Sequence, residues 1–266
     1  MIEFSEIQNI YFILPILGFI IGLFGTMVGG GGGFFFLPIL TLLLKVPAQT
    51  AVITSLAATL PICIVGSLGH YHKNNIDFKV AVLFMVTGII GAFIGAEITN
   101  RISDLALKTA FGVYSILIAL NMVFSAGKNN VEREGEKTRI SPRSLKTFKG
   151  SFFGLAAGLI TGTFGTSGTA PVLAGLFSMK IPFKMVIGTS LLVVLVNTIF
   201  AVGAHFIVEK IDLTLVIFLT AGSTIGAILG PRLLAKIQID KSENKAKYAY
   251  AIIMVAIGIL MIIGRN

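Results

Sequence analysis

Two stretches of the chain hold residues able to present many hydrogen-bond donors at one place. Residues 25–38 read G-T-M-V-G-G-G-G-G-F-F-F-L-P, and residues 162–171 read G-T-F-G-T-S-G-T-A-P. Glycine loses more backbone entropy than alanine on entering a helix, so the glycine run at 29–33 predicts a break rather than a helix interior. Freed backbone amides and nearby hydroxyls suit an oxyanion, because each anion oxygen accepts several hydrogen bonds. The candidate ligands are Gly30, Gly31, Gly32 and Gly33 in the first break. In the second they are Gly165, Thr166, Ser167, Gly168 and Thr169. The competing reading is that the glycines only let helices cross closely. It accounts well for Gly18/Gly22, Gly91/Gly95, Gly154/Gly158 and Gly226/Gly230, and poorly for five glycines in a row.

Three further polar features lie inside apolar segments. Thr54-Ser55 and Thr189-Ser190 recur symmetrically, either bonding carbonyls of their own helix or lining a cavity. Asn197 is a candidate lining residue, since a buried amide needs partners. Pro61, which also interrupts its segment, reads as a kink or a lining position.

The elements that must position these residues are membrane helices. The 266-residue chain is 55% hydrophobic and only 12% charged, and its mean hydropathy is +0.92. A soluble domain carries roughly twice that charged fraction. Apolar segments run at 10–28, 34–44, 48–70, 77–98, 104–125, 149–163, 170–179, 184–208, 212–234 and 246–264. The segments after the two breaks are about 15 Å long as helix, half a bilayer, and read as half-helices, broken or re-entrant. Broken backbone at membrane depth is tolerated only where protein or a watery cavity satisfies it. The first residues carry Glu3 and Glu6 and no basic side chain, unlike a cleaved signal peptide, so the first apolar segment is expected to remain.

The chain repeats itself. At an offset of 135, Lys45-Val-Pro47 matches Lys180-Ile-Pro182, Thr54-Ser55-Leu56 matches Thr189-Ser190-Leu191, His70 matches His205, and Asp77 matches Asp212. Upstream, at an offset of 136, Gly18, Gly22, Gly29 and Gly32 match Gly154, Gly158, Gly165 and Gly168. The expected organisation is a first membrane repeat at 1–126, a charged cytoplasmic linker at 127–148 and a second membrane repeat at 149–266. If all five segments of each repeat cross, the repeats are inverted, and 16 basic residues fall inside against 5 outside. Even parity erases that bias. The fold class is therefore all-α and polytopic, with two homologous inverted halves, both termini outside and 8–10 membrane segments. Paired interruptions at matching places in two repeats point to a transport site near mid-membrane.

Other chemistry has weak support. The net charge of +9 sits in short loops, as positive-inside bias requires, so nucleic acid is not expected. The linker reads as a solvated tether near anionic headgroups. Cys63, the single cysteine, reads as a small buried residue. His70 and His205 end equivalent helices on opposite faces, which argues against a shared metal site and for interfacial anchoring or helix capping. Asp77 and Asp212 read as N-caps. Glu97 is an acid embedded in an apolar segment. No nucleophile elbow, phosphate loop or HExxH motif occurs, so the chain is not expected to be an enzyme, and no cofactor or metal is implied.

These motifs resemble the sulfite exporter TauE/SafE family: two halves and a linker, each half opening with a glycine-rich break followed by Pro, then K-x-P and T-S-L. The first break here is richer in glycine and poorer in hydroxyls than that pattern. The resemblance covers nearly the whole chain. It implies secondary transport, in the export direction, of a small sulfur-containing anion such as sulfite, thiosulfate or an organosulfonate across the bacterial cytoplasmic membrane. The break segments would frame the path. The expected partners are that anion and the lipid bilayer; a coupling ion and a homo-oligomer stay open. The alternatives are a cation or metal transporter or channel, which would want intramembrane carboxylates, and a non-transporting scaffold.

Overall fold

The computed structural model describes residues 2–128, 143–179, 181–207, 209–234 and 243–264. The middle of the linker, Lys180, and the basic residues at 236, 241 and 265 lie outside them. Helices α1 (Leu14–Val28), α2 (Gly33–Pro38), α3 (Ala48–Tyr71), α4 (Phe78–Arg101) and α5 (Asp104–Lys128) precede residues 129–142, and helices α6 (Arg143–Phe164), α7 (Thr169–Ser178), α8 (Phe183–Phe206), α9 (Leu213–Leu234) and α10 (Glu243–Ile263) follow them. Both α5 and α6 run into the 127–148 stretch expected as linker. A 3-10 turn, Asn9–Ile13, leads into α1, and a π-helical turn, Ile39–Leu43, extends α2 past Pro38.

The protein is an all-α polytopic membrane protein. Among the described residues, six stretches are long and apolar enough to cross a bilayer: Asn9–Met27, Ala48–Tyr71, Phe78–Arg101, Asp104–Phe124, Phe183–Phe206 and Leu213–Leu233. Helices α6 and α10 are of similar length, 22 and 21 residues, but start with charged side chains. Gly33–Leu43 and Thr169–Ser178 are the short apolar helices expected after the breaks. Large apolar side chains face outward along α4 (Phe78, Val82, Val86, Ile90, Phe93) and α10 (Ile252, Ile253, Leu260). Water would make such a surface costly and lipid does not.

Close helix crossings hold the bundle together. Helix α1 packs on α9, and α4 on α6. A Cβ on Gly22 would overlap the carbonyl oxygen of Ser223, and one on Gly158 that of Gly88. On α5 and α10 the arrangement is reciprocal: a Cβ on Gly112 would lie 2.6 Å from the oxygen of Gly258, and one on Gly258 would lie 2.7 Å from that of Gly112. Lipid supplies no hydrophobic drive between helices, so this backbone approach contributes to their association through its dense dispersion contacts.

Helices α3 and α8 are the most buried of the candidate spans and cross antiparallel at the centre. Near one end, Gly66 of α3 faces Leu191 of α8; a turn further on, His70 faces Gly188. Helices α4 and α9 are capped alike. Asp77 accepts from Val80 N at 3.2 Å and Asp212 from Leu215 N at 3.2 Å, the N-caps expected from the sequence. Outside the bundle, β1 (Ile2–Glu3) pairs in parallel with β2 (Ile211–Asp212), which ties the N-terminal segment to the turn before α9.

Candidate functional site

The first break is a run of left-handed backbone. Helix α1 ends at Gly29 (φ 83°), and Gly31 (φ 60°) and Gly32 (φ 75°) turn the chain into α2. A side chain at these angles would be strained, which is why glycine occupies them. The glycines at 29–33 are all buried. Gly31 lies over the side chains of α3: a Cβ there would sit 2.5 Å from Cys63 Sγ and 3.1 Å from Thr59 Cγ2. Val194 of α8 is 3.8 Å from the same point, so both central helices meet the break.

The second break uses the same device. Helix α6 ends at Phe164, Gly165 (φ 63°) and Gly168 (φ 54°) are left-handed, and α7 starts at Thr169. Its residues reach the first break directly. The Thr169 hydroxyl donates to the carbonyl of Gly30 at 3.1 Å and lies 2.7 Å from Ser167 Oγ. A Cβ on Gly33 would stand 3.1 Å from Ser167 N and 3.5 Å from the oxygen of Gly165. The two interruptions, far apart in sequence, therefore form one buried cluster of backbone and hydroxyls. None of the side chains named here carries a charge. The N-terminal end of α7 points its first backbone N–H groups, which lack intrahelical partners, toward this cluster's side of the helix break.

The Thr-Ser pairs bracket this cluster. Ser55 donates to the carbonyl of Gly165 at 2.9 Å, with that of Gly33 at 3.2 Å, and Ser190 donates to the carbonyl of Gly29 at 2.8 Å. Their neighbours turn the other way. Thr54 accepts from Asp212 N at 3.3 Å and Thr189 from Asp77 N at 2.9 Å. Ser55 and Ser190 thus join the breaks, whereas Thr54 and Thr189 join the turns that start α9 and α4. Asn197 stands apart, packed into the notch left by Gly88 on α4, where a Cβ would overlap its amide. Both amide atoms of Asn197, and the hydroxyl of Thr166, are buried with no partner among the described residues.

Sequence reasoning passed over Thr59. It donates to the carbonyl of Ser55 at 2.8 Å and would be the nearest side chain to a Cβ on Gly33, at 2.8 Å. The spacing Ser55, Thr59, Cys63, one turn apart on α3, was the available signal. Both histidines are buried in the last turns of their helices, His70 on α3 and His205 on α8. His205 Nε2 donates to the carbonyl of Gly162 at 2.7 Å, and neither ring nitrogen of His70 finds a partner among the described residues. Glu97 is exposed on the outside of α4, 2.6 Å from Arg101. No group of three His, Cys, Asp or Glu residues is placed to share a metal ion among the described residues.

Comparison with known proteins covers almost the same span as this architecture. A sequence model of the sulfite exporter TauE/SafE family matches residues 14–261. The probable membrane transporter protein YdhB of Bacillus subtilis is 29% identical over 221 residues, 80% of this chain and 86% of that one. A probable membrane transporter protein of Methanocaldococcus jannaschii is 30% identical over 193 residues, 70% of this chain and 69% of that one. A third, from Xylella fastidiosa strain Temecula1, is 26% identical over 253 residues, 93% of this chain and 91% of that one. No solved structure matches significantly.

Proposed function

The chain belongs to the sulfite exporter TauE/SafE family, and we propose that it is a secondary transporter that exports a small sulfur-containing anion, held where the two helix breaks meet. The observation that carries this reading is the contact between the breaks: Thr169 bonded to Gly30, with the amide of Ser167 against Gly33. An anion there would draw on backbone amides and the hydroxyls of Thr166, Ser167 and Thr169 at the start of α7, with Thr59 opposite. Its charge would be met by dipoles rather than by a fixed cation, a weaker hold that favours release. Sulfite, thiosulfate and organosulfonates share this chemistry, with clustered acceptor oxygens on sulfur. The chain itself acts as a carrier rather than an enzyme.

The same reading takes 1–126 and 149–266 as inverted repeats in the bacterial cytoplasmic membrane, with the linker cytoplasmic. The antiparallel crossing of α3 and α8 supports it, as do the matched bonds Ser55–Gly165 with Ser190–Gly29 and Thr54–Asp212 with Thr189–Asp77. A cation carrier is less well supported, because Glu97, the acid that would serve it, lies outside the bundle beside Arg101.

The test is flux of radiolabelled sulfite from proteoliposomes containing the purified full-length protein. Flux above that of empty liposomes, competed by thiosulfate or sulfoacetate and not by chloride, is expected. Efflux equal to empty liposomes for sulfite, thiosulfate and sulfoacetate alike overturns the proposal.

A further inference from the structure

Beyond the break cluster, α3 continues with polar side chains on the same side. From Thr59 and Cys63, which touch the first break, the spacing of one turn leads to Ser67 and then His70 at the end of the helix. All four are buried: Thr59 is 1% exposed, Cys63 0%, Ser67 5% and His70 3%. The first two are accounted for by the break. The last two are not: the Ser67 hydroxyl and both ring nitrogens of His70 have no hydrogen-bond partner among the described residues.

An unpartnered buried polar group carries its full desolvation penalty, and more in a membrane interior, where water does not fill in. The glycines beside this line on α3 meet mainly apolar groups of other helices. Gly66 faces Leu191 of α8 and the methyl of Thr26 on α1, and Gly69 approaches Pro231 of α9. The apolar Leu191 packs against α3 at Gly66, next to Ser67 in sequence, while the Ser67 hydroxyl and the His70 ring stay unsatisfied among the described residues. Past His70 the chain is exposed, with Lys73 in the turn after α3 and Lys79 in the first turn of α4.

We infer that Cys63, Ser67 and His70 line a path along α3 that carries a small oxyanion and water between the break cluster and the membrane face bearing Lys73 and Lys79, and that is closed here by Leu191. The inference rests on the transporter reading and deepens it. Ser67 and His70 supply hydroxyl and ring N–H donors that an oxyanion accepts, and the two lysines concentrate anions at the mouth. The Gly66 notch lets Leu191 seat against α3, so displacement of α8 from α3 would open the line along its length.

The test is thiol accessibility in native membranes. In a Cys63→Ala background, Ser67→Cys and His70→Cys are compared with Leu68→Cys on the exposed side of α3 and Ala58→Cys in its apolar packing. The probe is 2-sulfonatoethyl methanethiosulfonate, a water-soluble sulfonate that reacts with hydrated thiolates and not with thiols in apolar surroundings. The two path positions are expected to react at least about tenfold faster than the two controls. Equal rates at all four positions overturn the path. Should the variants fail to insert, native Cys63 decides: its reaction with N-ethylmaleimide in intact membranes supports the path, and no reaction while denatured protein is labelled fully overturns it. Labelling without sulfur-anion flux in proteoliposomes removes the substrate class and leaves the path standing. Flux without labelling removes the path alone.

Discussion

The hydroxyl of Ser190 donates to the carbonyl of Gly29 at 2.8 Å, joining α8 to the last turn of α1 across 161 residues of sequence. Its counterpart Ser55 does the same for Gly165 at 2.9 Å. Both serines and both glycines are buried. A carbonyl at a helix end has no intrahelical donor, so a hydroxyl from another helix stands in for one.

Replacing either serine by alanine leaves such a carbonyl unpaired. Ser55→Ala and Ser190→Ala are each expected to lower stability by about 1–3 kcal/mol. Ser55→Ala should be the more costly, because Ser55 also reaches Gly33 at 3.2 Å. Thermal unfolding of the detergent-purified protein measures both; midpoints equal to that of the unmodified chain would show the bonds to be idle.

Thr169 bears on function more than on folding. Thr169→Val removes the bond to Gly30 and the hydroxyl beside Ser167 while keeping the volume. Sulfite flux should drop by about tenfold, the value of a single well-placed hydrogen bond of about 1.4 kcal/mol. Thr169→Ser should retain most of it. Equal flux in both variants would remove Thr169 from the site.

Two glycines give opposite expectations for the same substitution. Gly158→Ala forces a methyl into the carbonyl of Gly88 and should separate α4 from α6, with loss of folded protein. Gly203 in α8 has nothing within 4 Å of an added Cβ. Gly203→Ala should therefore be neutral or raise stability by about 0.5–1 kcal/mol, the gain in helix propensity. Folded yield after size-exclusion chromatography separates the two.

Glu97→Gln should leave transport and its pH profile unaltered. The carboxylate is exposed, paired with Arg101 one turn along the same helix, and a surface pair of this kind contributes no more than about 0.5 kcal/mol. A changed pH profile in the variant would place Glu97 in the transport cycle.

Much of this architecture was legible in the residues. The segments, the two interruptions and the N-caps at Asp77 and Asp212 follow from hydropathy and from residue types with one strong local preference. The glycine pairs on α1, α4, α6 and α9 do mark close crossings. Tertiary partners were less accessible. The offset of 135 shows that Thr54 and Thr189 are equivalent, yet nothing local reveals that each reaches a turn rather than a break, because adjacent residues on a helix point about 100° apart. Cys63 reads as a small apolar residue from its neighbours, and only the fold places Gly31 on it. An acid at Glu97 in an apolar run gave no sign of which way its helix was turned.

The exchange of helices across the chain has a consequence for synthesis. Helix α1 carries Gly18 and Gly22 facing α9, which ends near residue 234, so α1 leaves the ribosome long before its partner exists. Helix α4 waits in the same way for α6, though for a shorter time. During that interval the flat glycine faces have only lipid, or another copy's helix, to lie against. A chain cut before residue 143 would hold α1 and α4 with neither partner, its glycine faces open to lipid or to another copy.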